Sequence, residues 1–247
     1  MLKKSFVASV SLKGKLRIDP SIWKDMLVLG SPVAADRAIV SAGQIVMTSL
    51  VTGLGIVAVT SNTLAVTAEA ITYMPAFGLS VAATTLVAQS LGAAKKHLAK
   101  KYARACVVSG TIFMTIMGVV LYFSAESLIS IFSDNPEVIA LGGKILKIEA
   151  FAQPANGVAM ITTGILNGAK DTKWPLLVSF VGMWCVRIPT AVILLHTTSL
   201  GLVCAWIAMV ADLTSRGIFS FIIYKRGKWQ DKVFNADANA QPKEAAA

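Results

Sequence analysis

The residues of this chain that could do chemistry are carboxylates, amides and arginines set inside long apolar runs. Arg37, Ser41, Gln44 and Thr48 recur at i, i+4, i+7 and i+11, with Asp36 about 100° away round a helix of about 3.6 residues per turn. Asn62, Glu69 and Tyr73 share a second face by the same spacing, and Glu149, Gln153, Asn156 and Thr163 share a third. Ionisable groups at bilayer depth are costly and normally face a cavity or a partner. Three such stripes imply either an aqueous cavity between helices or interhelical hydrogen bonds that only pack a bundle. In a cavity, Asp36 and Glu69 would attract a cation, and Tyr73 would offer an aromatic face to an organic one. Asp212 and Arg216, at i and i+4, read instead as a structural ion pair. Arg187, beside Pro189, is placed to neutralise a buried acid or to cap a neighbouring helix.

Other chemistries find no residues. No Gly-rich loop with a following Lys-Ser/Thr is present to hold nucleotide phosphates, and no Ser/His/Asp or His/Glu grouping recurs at useful spacing. Cys106, Cys185 and Cys204 sit singly in apolar runs, while His97 and His196 stand alone. The expectation is a protein that is not an enzyme and carries no metal or other cofactor.

The elements that must position these side chains follow from composition. Of 247 residues, 55% are hydrophobic and only 15% charged, with a mean hydropathy of +0.67. Soluble domains run about 45–50% apolar and about 25% charged. One bilayer span needs about 20 apolar residues, so six would use about 120. Six continuous apolar blocks are visible, at about 26–54, 56–91, 102–124, 138–168, 174–196 and 200–224. None shows period-2 alternation, so each is a helix candidate rather than a barrel strand. Residues 1–25 read as a basic cytoplasmic linker, 26–224 as a six-helix transmembrane lobe, and 225–247 as a cytoplasmic tail expected to be disordered.

The net charge of +10 would suit a nucleic-acid partner if it formed one patch. Instead basic and non-basic connections alternate along the chain. The N-terminal segment, the 92–101 connection, Lys170 with Lys173, and the tail are basic, while 53–55, 125–137 and 197–199 carry no Lys or Arg. A six-span protein with both ends in the cytoplasm requires this alternation. Lys144 and Lys147 are the exception, at positions from which they could snorkel to the interface. Pro32, Pro75, Pro154 and Pro189 each remove a backbone donor inside a span, and together they read as hinges. Gly164 and Gly168 form a GxxxG, a weak signal because glycine is common in membrane helices.

Four segments carry a family resemblance: GSPVAADRAIVSAGQIVMTSLVTGLG (30–55), YMPAFGLSVAATTLVAQSLGAAKK (73–96), GILNGAKDTKWP (164–175) and WCVRIP (184–189). The patterns P-x-x-G-x-x-x-A-A-x-x-L-V-x-Q-x-L-G-A and L-x-G-x-x-D-T-x-x-P, in that order, resemble the multidrug and toxic compound extrusion (MATE) transporters. The resemblance implies an all-α membrane protein, a six-helix bundle like the second lobe of a twelve-helix transporter. It implies a bacterial inner-membrane antiporter that exports cationic amphipathic drugs or metabolites, coupled to Na⁺ or H⁺, with a first six-helix lobe as partner. By the motif, Asp36 takes the place of an acid on the family's seventh helix, while Asn156 stands where some members have a carboxylate. An amide can coordinate Na⁺ or hydrogen-bond a drug but cannot carry a proton. The expected cavity is lined by Asp36, Gln44, Glu69, Tyr73, Gln153 and Asn156. Two rival readings remain: a lipid-linked precursor flippase of the same superfamily, which calls for a more basic cavity, and a non-transporting membrane remnant.

Overall fold

The computed structural model describes residues 20–231, and all the regular elements among them are helices. In chain order they are α1 (Pro20–Thr52), α2 (Ile56–Gly92), α3 (Lys96–Ser130), α4 (Pro136–Ala150), α5 (Gln153–Gly168), α6 (Lys173–Phe180), a π-helical segment (Val181–Arg187), α7 (Ile188–Thr197) and α8 (Leu202–Arg226). Most of the expected linker (1–19) and most of the tail (232–247) lie outside the described residues. Five helical stretches are long and apolar enough to cross a membrane. The remaining expected span consists of α4 and α5, of 15 and 16 residues, each too short alone. Phe151 and Ala152 between them keep right-handed helical dihedrals, so the pair makes one kinked rod. The kink has a cause: Pro154 has no N–H to return to the carbonyl of Ala150.

The prolines act differently from one another. Pro32 and Pro75 sit within unbroken α1 and α2, whereas Pro154 starts α5 and Pro189 starts α7 directly after the π-helical segment. α2 has 37 residues, about 55 Å at 1.5 Å per residue, against a hydrocarbon core of about 30 Å. Its excess length must tilt or protrude.

Helix ends are set by backbone hydrogen bonds. The α1–α2 turn needs a positive φ at Gly55 (φ 95), which glycine adopts without steric cost. The C-termini of α2 and α5 close in the same way. Lys95 N–H reaches Ser90 O and Ala94 N–H reaches Leu91 O, while Asp171 N–H reaches Leu166 O and Lys170 N–H reaches Asn167 O. Both are Schellman caps, yet Ala94 (φ 58) and Lys170 (φ 57) occupy the left-handed position where glycine is usual. Asn135 caps α4 by accepting from Glu137 N–H at 2.9 Å, with Pro136 next in the first turn.

Small residues let the helices approach. Buried positions of α3 recur every three or four residues, including Ala99, Ala103, Gly110, Gly118 and Ala125. Against α2, a Cβ at Gly164 or Gly168 would strike the backbone of Ser80 or Thr84. Ser80 Oγ donates to Met160 O at 2.7 Å and Thr84 Oγ1 to Gly164 O at 2.9 Å. The GxxxG therefore packs two helices, which its sequence context left undecided.

Two apolar clusters divide the bundle along its length. One gathers residues near the α1–α2 turn and the start of α8, including Met47, Ala65, Leu121, Ile145 and Trp206. The other gathers Val87, Leu91, Ala103, Ile161, Ile165 and Trp229 at the basic end. Residues 225–231, assigned by sequence to a disordered tail, are placed: Trp229 is 2% exposed and stacks on Tyr224. Lys147 also finds a partner at the opposite end, donating to Glu126 at 2.6 Å.

Candidate functional site

Between the two apolar clusters lies a polar layer. It is built by Glu69, Thr72 and Tyr73 on α2, Glu149 on α4, Gln153 and Asn156 on α5, Arg187 at the end of the π-helical segment, and Asp212 and Arg216 on α8. The α4–α5 kink delivers Glu149 and Gln153 to one spot, with Gln153 Nε2 donating to Glu149 Oε1 at 2.8 Å. Both side chains are fully buried. Across from them Glu69 is within side-chain hydrogen-bonding reach of Glu149. Asp212 accepts both arms of Arg216, Nε at 2.5 Å and Nη2 at 2.8 Å, as the i, i+4 spacing suggested. Gly182 allows this, since a Cβ there would run into both side chains.

Arg187 ties the layer together. It interacts electrostatically with Asp212, Glu69 and Glu149. The π-helical segment supplies its position: one extra residue per turn re-aims the side chains that follow it, and such bulges recur at functional sites. Three buried atoms in this layer have no hydrogen-bond partner, namely Glu149 Oε2, Gln153 Oε1 and Arg187 Nε. Orphaned buried polar atoms cost about 1–3 kcal/mol each, so a cluster of them is an expensive arrangement for a helix bundle to hold.

Arg187 also lines a cavity of about 270 Å³ between α1, α2 and α8. Gln44 and Thr48 of α1, Asn62, Thr63 and Thr67 of α2, and Trp206 of α8 form other parts of its wall. Trp206 is held by its Nε1 donating to Asn62 Oδ1 at 3.0 Å. Gln44 and Thr48 of the α1 stripe and Asn62 of the α2 stripe thus meet at one cavity, and Arg187 on its wall interacts with Glu149 of the α4–α5 stripe.

Of the six expected lining residues, Gln44 borders this cavity, Gln153 is buried in the polar layer, and Glu69 is half-buried in it. Asn156 is buried one turn beyond Gln153 on α5, and Tyr73 is half-buried one turn beyond Glu69 on α2. Asp36 is half-buried on α1, about 12 Å along the helix from Gln44 by its rise of 1.5 Å per residue, with Oδ1 unpartnered. Sequence reasoning placed Glu149 in a stripe but not in the site, because its partner Glu69 is far away in the chain. Asn62–Trp206 had no local signal at all.

A family model described as MatE matches residues 32–193, from α1 into α7. This chain belongs to the MatE family. The MatE chain is 29% identical over 216 residues to the probable multidrug resistance protein NorM of Thermotoga maritima, covering 86% of its own length and 47% of that protein. Its fold matches a MATE in complex with MaL6 at a TM-score of 0.81, with 17% identity over 94% of this chain and 52% of the other. It also matches the Vibrio cholerae MATE transporter VcmN in the bent form at 0.78, with 16% identity over 87% of this chain and 49% of that one. A MOP superfamily transporter from Pyrococcus furiosus matches at 0.74, with 20% identity over 80% and 43%. At these identities the structures show the fold. The MatE chain spans about half the length of the relatives it matches, and it is a multi-pass membrane protein.

Proposed function

We propose that this lobe is half of a secondary antiporter that exports cationic amphipathic compounds in exchange for Na⁺ or H⁺, working with a first six-helix lobe. The observation that carries the reading is the layer of buried Glu149 and Gln153 with half-buried Glu69, joined through Arg187 to a cavity walled in part by amides and hydroxyls. Acids in a low-dielectric layer bind a cation strongly, and the same acids can bind a coupling ion in its absence. Asp36, with an unpartnered oxygen on α1, is the second attractive site for a cation. Tyr73 supplies an aromatic face on α2. The relatives' length, about twice this chain's, supports a second lobe as partner.

The experiment is export of a fluorescent organic cation from cells in which the chain is joined to a first lobe. Asp36→Asn and Glu69→Gln should each reduce export against a gradient about 10-fold or more, as loss of one charge-assisted contact of about 1.5–3 kcal/mol implies. Full export by the double variant would end this reading. One observation favours the flippase reading: Arg187 is the charged residue among the cavity-lining side chains, and a guanidinium suits an anionic headgroup. Competition of dye export by an anionic lipid-linked precursor separates the two.

A further inference from the structure

The end of the bundle where Trp229 packs carries more positive charge than the acids around it balance. Two cavities adjoin there. One, of about 450 Å³, is walled by Lys100 and by the end of α8 with the turn that follows, including Tyr224, Lys225, Arg226, Lys228 and Trp229. The other, of about 640 Å³, runs along one face of α3 and is walled by His97, Lys100, Lys101, Arg104, Ala105 and Val108. Lys100 borders both, and Arg104 interacts electrostatically with Tyr224 on the neighbouring wall. We propose that these cavities seat one anionic phospholipid, its phosphate held by Lys100, Lys101 and Arg104 and an acyl chain laid along α3.

Charge calls for an anion. Lys100, Lys101, Arg104, Lys225, Arg226 and Lys228 are all exposed, and among the described residues none of the six forms an ion pair. Asp231, the acid on the wall, is engaged by Lys96 at 2.7 Å. The start of α3 adds to the crowding. The helix opens with Lys96 and has no acid in its first turn, so basic side chains sit at the positive end of the helix dipole. Lys100 and Arg104 are like charges at i and i+4, also an unfavourable pair. A phosphate bound between them relieves both costs.

Shape calls for a lipid rather than a free phosphate. Beyond Arg104 the same side of α3 turns apolar: Val108, Ile112 and Ile116, at successive steps of four residues, are all exposed. The helix rises about 18 Å from Arg104 to Ile116, against about 15 Å for one leaflet of the hydrocarbon core. A basic mouth above an apolar track of that length has the layout of a phospholipid, and basic pockets between membrane helices recur as seats for such headgroups. This chain's own remaining segments fit less well. Residues 1–19 carry five Lys or Arg against one Asp, and residues 232–247 carry two Lys against one Asp and one Glu, so neither brings the negative charge required. A second copy, at +10, brings the wrong sign. None of the residues walling the Gln44 cavity comes from α3, so the lipid site is separate from it and does not rest on the antiport reading. The lipid joins the start of α3 to the end of α8 beside buried Trp229, and a ligand held only by the folded chain raises its stability.

The test titrates the full chain, in a neutral detergent, with phosphatidylglycerol, phosphatidylcholine or glycerol 3-phosphate. Native mass spectrometry counts the bound molecules, and thermal melting is followed alongside. One phosphatidylglycerol should bind at least about 10-fold tighter than phosphatidylcholine and raise the melting temperature. Lys100→Gln with Arg104→Gln should weaken that binding about 30-fold, from two basic contacts at about 1 kcal/mol each. Lys101→Gln alone should weaken it about 5-fold, and it decides the matter if the double variant does not fold. The control, Lys144→Gln with Lys173→Gln, removes the same charge from exposed positions elsewhere and should leave binding unchanged. An equal loss in the control would reduce the effect to general attraction and overturn the proposal. Glycerol 3-phosphate binding as tightly as the lipid would mark a free-phosphate site and overturn it too. So would equal binding of the two lipids, which would leave the basic face to an acidic protein.

Discussion

Gly118 is where helix packing controls the kink, and substituting it gives a quantitative test. It lies on α3 opposite the break between α4 and α5, where a Cβ would sit 2.8 Å from Ala150 O and 3.1 Å from Gln153 Cβ. Ala150 O is the carbonyl that Pro154 leaves without its helical donor. Ordinary contact begins at about 3.4 Å, so Gly118→Ala must push α4–α5 away by about 0.6 Å. Overpacking of this kind costs about 1–3 kcal/mol, and the better helix propensity of alanine returns about 1. The expected net effect is about 1 kcal/mol destabilising. Gly78→Ala on α2 is the control, because nothing lies within 4 Å of its Cβ. It should keep the propensity gain and stabilise by about 1 kcal/mol. At roughly 2–4 °C per kcal/mol, thermal melting in detergent should separate the two variants by roughly 4–8 °C. The displacement also falls on Gln153, so Gly118→Ala should weaken dye export in the joined transporter while Gly78→Ala leaves export unchanged. A Gly118→Ala chain that melts at or above the unsubstituted one would refute the reasoning that this contact is tight.

Three further outcomes follow from the same structure. Asp212→Asn leaves Arg216, whose side chain is 15% exposed, without its counter-charge, and should lower stability by about 3–5 kcal/mol in chemical denaturation. Asp231→Asn breaks an ion pair whose partners are 46% and 62% exposed, and should change stability by less than about 0.5 kcal/mol, screened further by salt. Ala94→Gly relieves a left-handed residue at the end of α2 and should raise stability by about 0.5–1 kcal/mol, with Lys170→Gly doing the same at α5. A loss of stability in either would mean that the side chain makes a contact worth more than the strain.

What could be read from sequence was what depends on local spacing. The Asp212–Arg216 pair and the run of apolar helices follow from helical period and composition, and both have counterparts in the structure. Pro154 announced a break because a missing N–H acts on its own helix. The partners in the polar layer were not readable. Glu69 and Glu149 meet only because α2 packs against α4, and Trp206 reaches Asn62 across the bundle. The π-helical segment left no periodic trace, since seven residues hold too few turns to distinguish 3.6 from 4.4 per turn. Trp229 was assigned to the tail because burial in a neighbouring helix pair has no signature in a short polar stretch.

The most direct test of the whole account is thiol labelling in the bilayer with a membrane-impermeant reagent, on a chain from which Cys106, Cys185 and Cys204 have been replaced. Thr67→Cys, on the cavity wall, should react, and an organic cation should slow that reaction. Ile161→Cys, fully buried in the basic-end cluster, should not react. A Thr67→Cys chain that stays unlabelled from both sides of the membrane would mean that water never reaches the polar layer, and the case for a cation-exchanging site would fail.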